Sequence, residues 1–117
     1  MRKTITLLCL LILLSSMTFA QSGKVFDNLF MKSKILKSDR KYAIYLPTDY
    51  ATSNRSYPVL YLLHGAGDDH AGWVQFGEVN QIADKAIENG TATAMIIVMP
   101  DANTGPVSYT HLNAADE

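Results

Sequence analysis

Hydrophobic and polar positions alternate in two neighbouring stretches of the chain. Residues from Leu29 towards Leu36 alternate first, and a polar turn at Ser38-Asp39 follows. The stretch Lys41–Leu46 alternates again and stops at Pro47. Alternation with a period of two is typical of half-buried strands. The two stretches therefore predict an antiparallel pair of strands at the edge of a sheet.

Two later stretches, Val59–Leu63 and Ala94–Met99, are apolar at every position. A strand that is covered on both faces has this pattern, which favours the interior of a parallel sheet. Between them one helix is predicted, with Gly77 as its cap, Glu78 in its first turn and Asn89-Gly90 as its end. The apolar residues of this helix recur at helical spacing, namely Val79, Ile82, Ala83, Ala86 and Ile87.

Strand, loop, helix and strand in this order make a right-handed crossover unit. Preceded by an antiparallel pair, the unit predicts the opening of a mixed sheet, and the fold class is α/β. Internal strands need covering on both faces, and a single helix is present for that purpose. The predicted fold is therefore incomplete.

Residues 1–20 have the pattern of a secretory signal peptide. The positive start Arg2-Lys3 precedes the apolar run Ile5–Leu14, and the small-x-small ending Thr18–Ala20 suits signal peptidase. The apolar run is shorter than the roughly 20 residues that a membrane-spanning helix needs. Cys9 lacks the preceding small residues of a lipoprotein signal. We therefore expect a secreted or periplasmic protein without a stable membrane anchor.

The chain from residue 21 onwards is mildly acidic. Ten basic and eleven acidic residues are present in all, and two of the basic ones lie within residues 1–20, so eight and eleven remain and the net charge is −3. No basic patch remains that would bind nucleic acid or an anionic surface. The one cysteine also lies within residues 1–20, so the fold is expected to depend on a hydrophobic core and not on disulfides.

The most informative stretch is the loop after the first fully apolar strand, which reads His64-Gly65-Ala66-Gly67-Asp68-Asp69. Acyl-transfer enzymes stabilise a developing oxyanion with backbone N–H groups that are aimed before the charge forms. Glycines let a backbone turn sharply and approach a substrate. A His-Gly-x-Gly loop after a buried strand is the expected place for one such donor. A tight strand-to-helix turn without catalytic duty has the same pattern.

The sequence around this loop resembles the esterase D-like superfamily of α/β hydrolases. Tyr57–Gly65 is similar to the third strand and oxyanion loop of that superfamily. Gly67–Trp73, the helix and Ile96–Asp101 resemble secreted feruloyl and acetyl-xylan esterases. The resemblance covers roughly residues 33–105 and implies that residues 21–105 are the N-terminal part of an α/β-hydrolase esterase domain. It implies a serine esterase that needs no cofactor and no metal.

The resemblance also assigns roles in the loop. It makes Ala66 N–H the oxyanion donor, with Gly65 and Gly67 shaping the loop. It implies that His64 supports the loop and does not transfer protons, because the catalytic histidine of the family comes near the end of the full fold.

The neighbouring polar and aromatic residues are candidates for structural or cleft positions. Asp68 and Asp69 are expected to serve turns and caps, with a metal site as the alternative, and His70 is expected to face solvent. Trp73 and Asp101 are candidates for the substrate cleft. Trp73 either packs the loop onto the body of the protein or stacks on a sugar, and Asp101 follows the carboxyl end of a strand, where clefts form.

The nucleophile, the acid and the base are absent from the sequence. A nucleophilic serine needs a Gly-x-Ser-x-Gly elbow between strand and helix, and no serine has that setting among Ser22, Ser33, Ser38, Ser53, Ser56 and Ser108. In the resembling family these residues come several elements after Pro100-Asp101. Residues 106–117 depart from the family pattern and resemble translated sequencing-adaptor sequence, so His111 is not expected to be a catalytic base.

These observations predict a secreted carboxylic ester hydrolase that acts on feruloyl or acyl esters of plant polysaccharides, truncated before its nucleophile and inactive as it stands. An alternative within the superfamily is a siderophore-ester hydrolase or an acyltransferase. An alternative from another class is a non-catalytic exported glycan-binding module that uses aromatic residues such as Tyr61 and Trp73.

Overall fold

The computed structural model of this protein describes residues 22–103. The predicted signal peptide, residues 1–20, and the off-pattern tail, residues 106–117 with His111, lie outside the described residues. The described elements are β1 (Lys24–Ser33), β2 (Ser38–Leu46), β3 (Val59–Tyr61), α1 (Gly72–Gln75), α2 (Val79–Glu88) and β4 (Ile96–Pro100). Within residues 22–103, neither helix has the length and apolar character needed to cross a bilayer.

Within this range the four strands form one mixed sheet in the order β1-β2-β4-β3. Strand β2 pairs antiparallel with β1 and with β4, whereas β3 and β4 are parallel. The chain leaves β3, passes through both helices and returns as β4 beside it. The predicted antiparallel pair followed by a strand-loop-helix-strand unit is therefore confirmed, and with it the α/β class.

The hairpin between β1 and β2 differs from the prediction. The turn occupies residues 34–37, and Ser38 is already paired with Ser33. Lys37 takes a left-handed conformation with φ 51° in this turn. Strand β1 also begins at Lys24, within a stretch that has no regular alternation. The reason is a register shift between Phe26 and Leu29, where two residues oppose one on β2 and the period of two is interrupted.

The core lies on one face of the sheet, between the sheet and α2. It is made of buried residues from β2, β4 and α2, namely Ala43, Tyr45, Val79, Ala83, Ile97 and Met99. The predicted end of helix α2 at Asn89-Gly90 is confirmed, since Asn89 is the C-cap and Gly90 has φ +71°. Its start differs, because Glu78 is the N-cap residue in a left-handed conformation and does not lie in the first turn. The short helix α1 was not predicted.

Strand β3 is not covered on both faces by the described residues. Val59, Leu60 and Tyr61 are all exposed, and Tyr61 is 67% exposed. Among residues 22–103, β4 is the strand that pairs with β3, so the other edge of β3 is open. Ile82, predicted to belong to the buried face of α2, is 62% exposed. Strand β3 and this part of α2 therefore carry apolar side chains that the described residues leave uncovered.

Candidate active site

Two loops meet at the carboxyl ends of β3 and β4 because these neighbouring strands are parallel. The first, which we call the oxyanion loop, is His64–Asp69. The second, which we call the β4 loop, is Asp101–Asn103. Pairing with β4 continues just beyond β3, where Leu62 N–H donates to the Val98 carbonyl over 2.9 Å. In doubly wound folds this edge of the sheet is where substrates bind.

His64 lies between the two loops and is only 3% exposed. Its Nε2 accepts a hydrogen bond from Ala102 N–H at 3.1 Å, and its Nδ1 lies 2.8 Å from the Gly65 carbonyl oxygen. A backbone amide can only donate, so Nε2 carries no proton and Nδ1–H donates to Gly65. The Asp101 carboxylate lies 3.7 Å from Nε2. The arrangement joins the loops and leaves Nε2 engaged with a backbone donor.

The oxyanion loop begins with a β-turn over residues 65–68. Asp68 N–H donates to the Gly65 carbonyl at 3.3 Å, and Gly67 has φ +80°. A positive φ at the third residue is the mark of a type II turn, which favours glycine there. Ala66 is the second residue of the turn and is exposed. Among residues 22–103 no acceptor takes the Ala66 N–H, so this donor is open to a ligand.

The two aspartates of the loop make local hydrogen bonds. Asp68 Oδ1 accepts from Asp69 N–H, and Asp69 Oδ1 accepts from Ala71 N–H, each at 2.8 Å. The Asp68 carboxylate also lies against Gly72, where a Cβ would collide with it. These bonds guide the chain into α1, as turn and cap residues do. The described part of the chain contains no cluster of three side chains suited to a metal ion.

Trp73 and His70 lie beside the loop. The Trp73 indole N–H donates to the Leu63 carbonyl at 2.9 Å, which ties α1 to the end of β3, and Trp73 is 37% exposed. Trp73 therefore packs the loop onto the sheet in this structure. His70 is buried, so the expectation that it faces solvent is wrong. The turn from Asp69 into α1 directs its ring inward, which the local sequence did not indicate.

Asp101 organises the β4 loop. Its Oδ1 accepts from Asn103 N–H at 2.9 Å, and its own N–H donates to the Lys41 carbonyl of β2 at 2.9 Å. The structure therefore places Asp101 at the predicted edge, with its carboxylate engaged in a local turn. The sequence reasoning did not single out Asn103, whose side chain also reaches Asp68. The Asp-Ala-Asn spacing predicts the local turn but carries no signal of the bond to the other loop.

Comparisons with known proteins show which family the chain resembles. The sequence model of the family described as "Putative esterase" matches residues 33–115. The chain belongs to this esterase family.

Individual esterases are also similar to this chain. Esterase Rv1288 of Mycobacterium tuberculosis is 43% identical over 58 residues, which are 50% of this chain and 11% of that protein. The endo-1,4-beta-xylanase/feruloyl esterase of Xylanibacter ruminicola is 37% identical over 60 residues, 48% of this chain and 8% of that protein. The solved structure of a ferulic acid esterase matches with a TM-score of 0.66 and 38% identity, covering 69% of this chain and 31% of that one.

This esterase chain spans about a tenth of those two curated relatives and about a third of the solved esterase. The region that the family model matches carries strands β2, β3 and β4 and the two loops described above. Every serine between residues 22 and 103 precedes β3, and so none lies in the oxyanion loop or in the β4 loop. The described part of the esterase thus presents an exposed backbone N–H at Ala66 and has no serine in either loop.

An apolar groove runs beside the site. It has a volume of about 280 Å³ and lies between the sheet and α2, lined among others by Leu60, Leu62, Trp73 and Ile82. A second hollow of about 380 Å³ borders the oxyanion loop at Gly65 and Asp68 and reaches the exposed Phe76. The esterase therefore presents apolar surface on both sides of Trp73.

Proposed function

We propose that residues 22–103 form the oxyanion-binding part of a secreted carboxylic ester hydrolase that acts on feruloyl or acyl esters of plant polysaccharides. Its nucleophile, acid and base come from outside these residues. The observation that carries the proposal is the exposed Ala66 N–H, which has no acceptor among the described residues and lies in a constrained turn after β3.

The proposed chemistry is acyl transfer to serine followed by hydrolysis. A serine hydroxyl attacks the ester carbonyl while a histidine base takes its proton, and the carbonyl oxygen becomes an oxyanion. Ala66 N–H donates to that oxygen. Collapse of the tetrahedral intermediate expels the alcohol of the polysaccharide, which receives the proton, and water then releases the acid from the acyl-enzyme.

His64 is a supporting residue in this scheme. It is buried, and its Nε2 already accepts a hydrogen bond from Ala102 N–H. A proton-transferring histidine must reach the reacting atoms within hydrogen-bond distance. A role in holding the loop therefore accounts better for its geometry than a role as the base.

The substrate class is supported by the names of the similar proteins, which include a ferulic acid esterase and an endo-1,4-beta-xylanase/feruloyl esterase. Secretion is supported by the pattern of residues 1–20. Feruloyl and acetyl esters of a plant wall lie outside the cell, so the two parts of the proposal agree with each other.

The test is the Ala66→Pro variant in the intact enzyme, obtained by extending the reading frame on the source DNA. Proline removes the backbone donor, and the loss of one oxyanion donor lowers turnover about 10²–10³-fold. Turnover is measured on methyl ferulate and p-nitrophenyl acetate. A siderophore ester and an acyl acceptor in the same panel test the alternatives within the superfamily.

The matched control is Ala66→Ser, which keeps the N–H and should retain most of the activity. Circular dichroism establishes that both variants are folded before they are compared. A folded Ala66→Pro enzyme with unchanged turnover would place the oxyanion donor elsewhere. Residues 21–105 alone provide the negative control for the assay.

A further inference from the structure

The oxyanion loop is held at two points by the β4 loop. At its start, His64 Nε2 accepts from Ala102 N–H at 3.1 Å. At the end of the 65–68 turn, the Asn103 side-chain amide donates to the Asp68 carbonyl at 2.8 Å. Asn103 is partly buried, and Asp68 is the residue that closes the turn.

Asn103 is itself anchored to the sheet. The Arg40 guanidinium on β2 donates to the Asn103 carbonyl at 2.6 Å, and Asn103 N–H donates to Asp101 Oδ1 at 2.9 Å. Asp101 N–H in turn donates to the Lys41 carbonyl of β2. A continuous series of hydrogen bonds therefore runs from β2 through Asn103 to the Asp68 carbonyl.

The turn needs such an anchor because its own closure is weak. The hydrogen bond from Asp68 N–H to the Gly65 carbonyl is long, at 3.3 Å, and the turn contains one glycine on each side of Ala66. Glycine gives the backbone alternative conformations. A donor contributes to catalysis only when it points at the oxyanion before the charge develops. Something outside the turn must therefore fix the direction of the Ala66 N–H.

We propose that Asn103 is a positioning residue that fixes the oxyanion turn by holding the Asp68 carbonyl. The inference rests on the proposed function, since it concerns the donor of the same site. Asn103 acts through Asp68 and Gly67 on Ala66 and does not touch substrate. Its loss lowers the rate of the chemical step and leaves the binding of the ground-state ester largely unchanged.

The experiment measures kcat and KM of Asn103→Ala and Asn103→Asp in the intact enzyme with methyl ferulate. A small misplacement of a catalytic group can lower the rate of the chemical step by about 10²-fold. We therefore expect kcat to fall about 10–10²-fold, with KM changed less than about threefold. The matched control is Thr91→Ala. It removes a side-chain hydrogen bond of similar length, 3.0 Å to the Ala86 carbonyl, that involves neither of the two loops. Its kcat should stay at the wild-type value.

The Asn103→Asp variant adds a readout that a purely structural role does not move. Its carboxylate has the shape of the amide but no hydrogen for the Asp68 carbonyl, whereas the protonated acid has one. The charged or titratable groups around this position are Arg40, Asp68, Asp101 and His64. The ratio of variant to wild-type kcat should rise as the pH is lowered towards about 4, the ordinary range of an aspartate pKa.

The outcomes separate the two proposals. Wild-type kcat in both Asn103 variants, in an enzyme that Ala66→Pro inactivates, overturns the positioning role and leaves the proposed function standing. Unchanged turnover in Ala66→Pro overturns the proposed function itself. If Asn103→Ala does not fold, the isosteric Asn103→Asp decides, and a ratio that is flat with pH overturns the inference.

Discussion

At the scale of single residues, the two glycines around Ala66 meet different constraints. Gly67 has φ +80°, a conformation in which the Cβ of an L-residue crowds the following carbonyl oxygen. Gly65 is not among the residues with a positive φ, and a Cβ added to it would meet no atom within 4 Å. The sequence predicted that both glycines shape the loop. The backbone conformation supplies a reason for glycine at position 67 and none at position 65.

We expect Gly67→Ala to lower the free energy of unfolding of the intact enzyme by about 1–2 kcal/mol, the cost of a left-handed conformation in an L-residue. Gly65→Ala, the matched control, should change it by less than about 0.5 kcal/mol. Urea denaturation followed by circular dichroism measures both. Equal effects at the two positions would show that the turn does not keep φ positive at Gly67 in solution.

At the scale of elements, a partly buried polar link joins α2 to the sheet. The Tyr45 hydroxyl on β2 donates to Asp84 Oδ1 on α2 at 2.8 Å, and Gly23 N–H donates to the same oxygen at 2.8 Å. Tyr45 is fully buried, and Gly23 lies so close to its ring that a Cβ would collide. Burial, followed by the bond to the Asp84 carboxylate, raises the pKa of Tyr45 well above the usual range of a tyrosine. The link sets where α2 lies across β2.

Tyr45→Phe should lower the free energy of unfolding of the intact enzyme by about 1.5–3 kcal/mol, as for a hydrogen bond to a charged group. The change leaves the partly buried Asp84 Oδ1 with the Gly23 donor alone. Tyr50→Phe makes the same chemical change at an exposed ring and should be nearly neutral. Thermal and urea denaturation of the two variants give the comparison. A Tyr45→Phe variant with the wild-type free energy of unfolding would show that this hydrogen bond adds no net stability.

The same link predicts a dependence on alkaline pH. The pKa of Tyr45 is higher in the folded than in the unfolded protein, so its contribution is fully present below the unfolded value, about 10. It should decline as the pH rises above about 10, because the unfolded chain then releases the proton first. Tyr45→Phe should lack this part of the decline. Unfolding free energies between pH 8 and pH 11 test the sign.

At the scale of the whole molecule, the described sheet has more apolar surface than the described helices cover. Helix α2 covers Ile97 and Met99 of β4, whereas Val59, Leu60 and Tyr61 of β3 are exposed. Each Å² of apolar surface left in water gives up roughly 25 cal/mol of stabilisation. The free energy of unfolding of a domain is only about 5–15 kcal/mol. The stabilisation lost at uncovered strands is therefore a substantial part of it. An open apolar edge also favours association with other chains.

We therefore expect residues 21–117, expressed alone, to lack a cooperative two-state transition and to associate through the β3 edge. Size-exclusion elution and a chemical denaturation curve are the measurements. A monomeric peak with a sharp cooperative transition would show that these residues close their own core, and would favour the binding-module alternative. The intact enzyme is the positive control.

The sequence alone determined the class of the fold, the end of α2, the course of β3 into the oxyanion loop and the membership of an esterase family. Each of these depends on short-range patterns, such as the helical spacing between Val79 and Ile87 or the motif after His64. Such patterns involve only a few neighbouring residues, so they do not depend on which distant elements pack against them. The turn at residues 34–37 was misplaced because the pairing of β1 with β2 fixes it, and Ser38 and Asp39 already belong to that pairing.

Only the tertiary structure decided which polar residues, distant in the sequence, meet in the fold. Asn103 and Asp68 are 35 positions apart, and Tyr45 and Asp84 are 39 apart. They meet because β4 returns parallel to β3 and because α2 crosses β2, and neither crossing point is encoded by local periodicity. The burial of His70 and the exposure of β3 have the same origin. Local patterns state which side of an element is apolar, whereas the packing of distant elements decides which polar atoms come within 3 Å of each other.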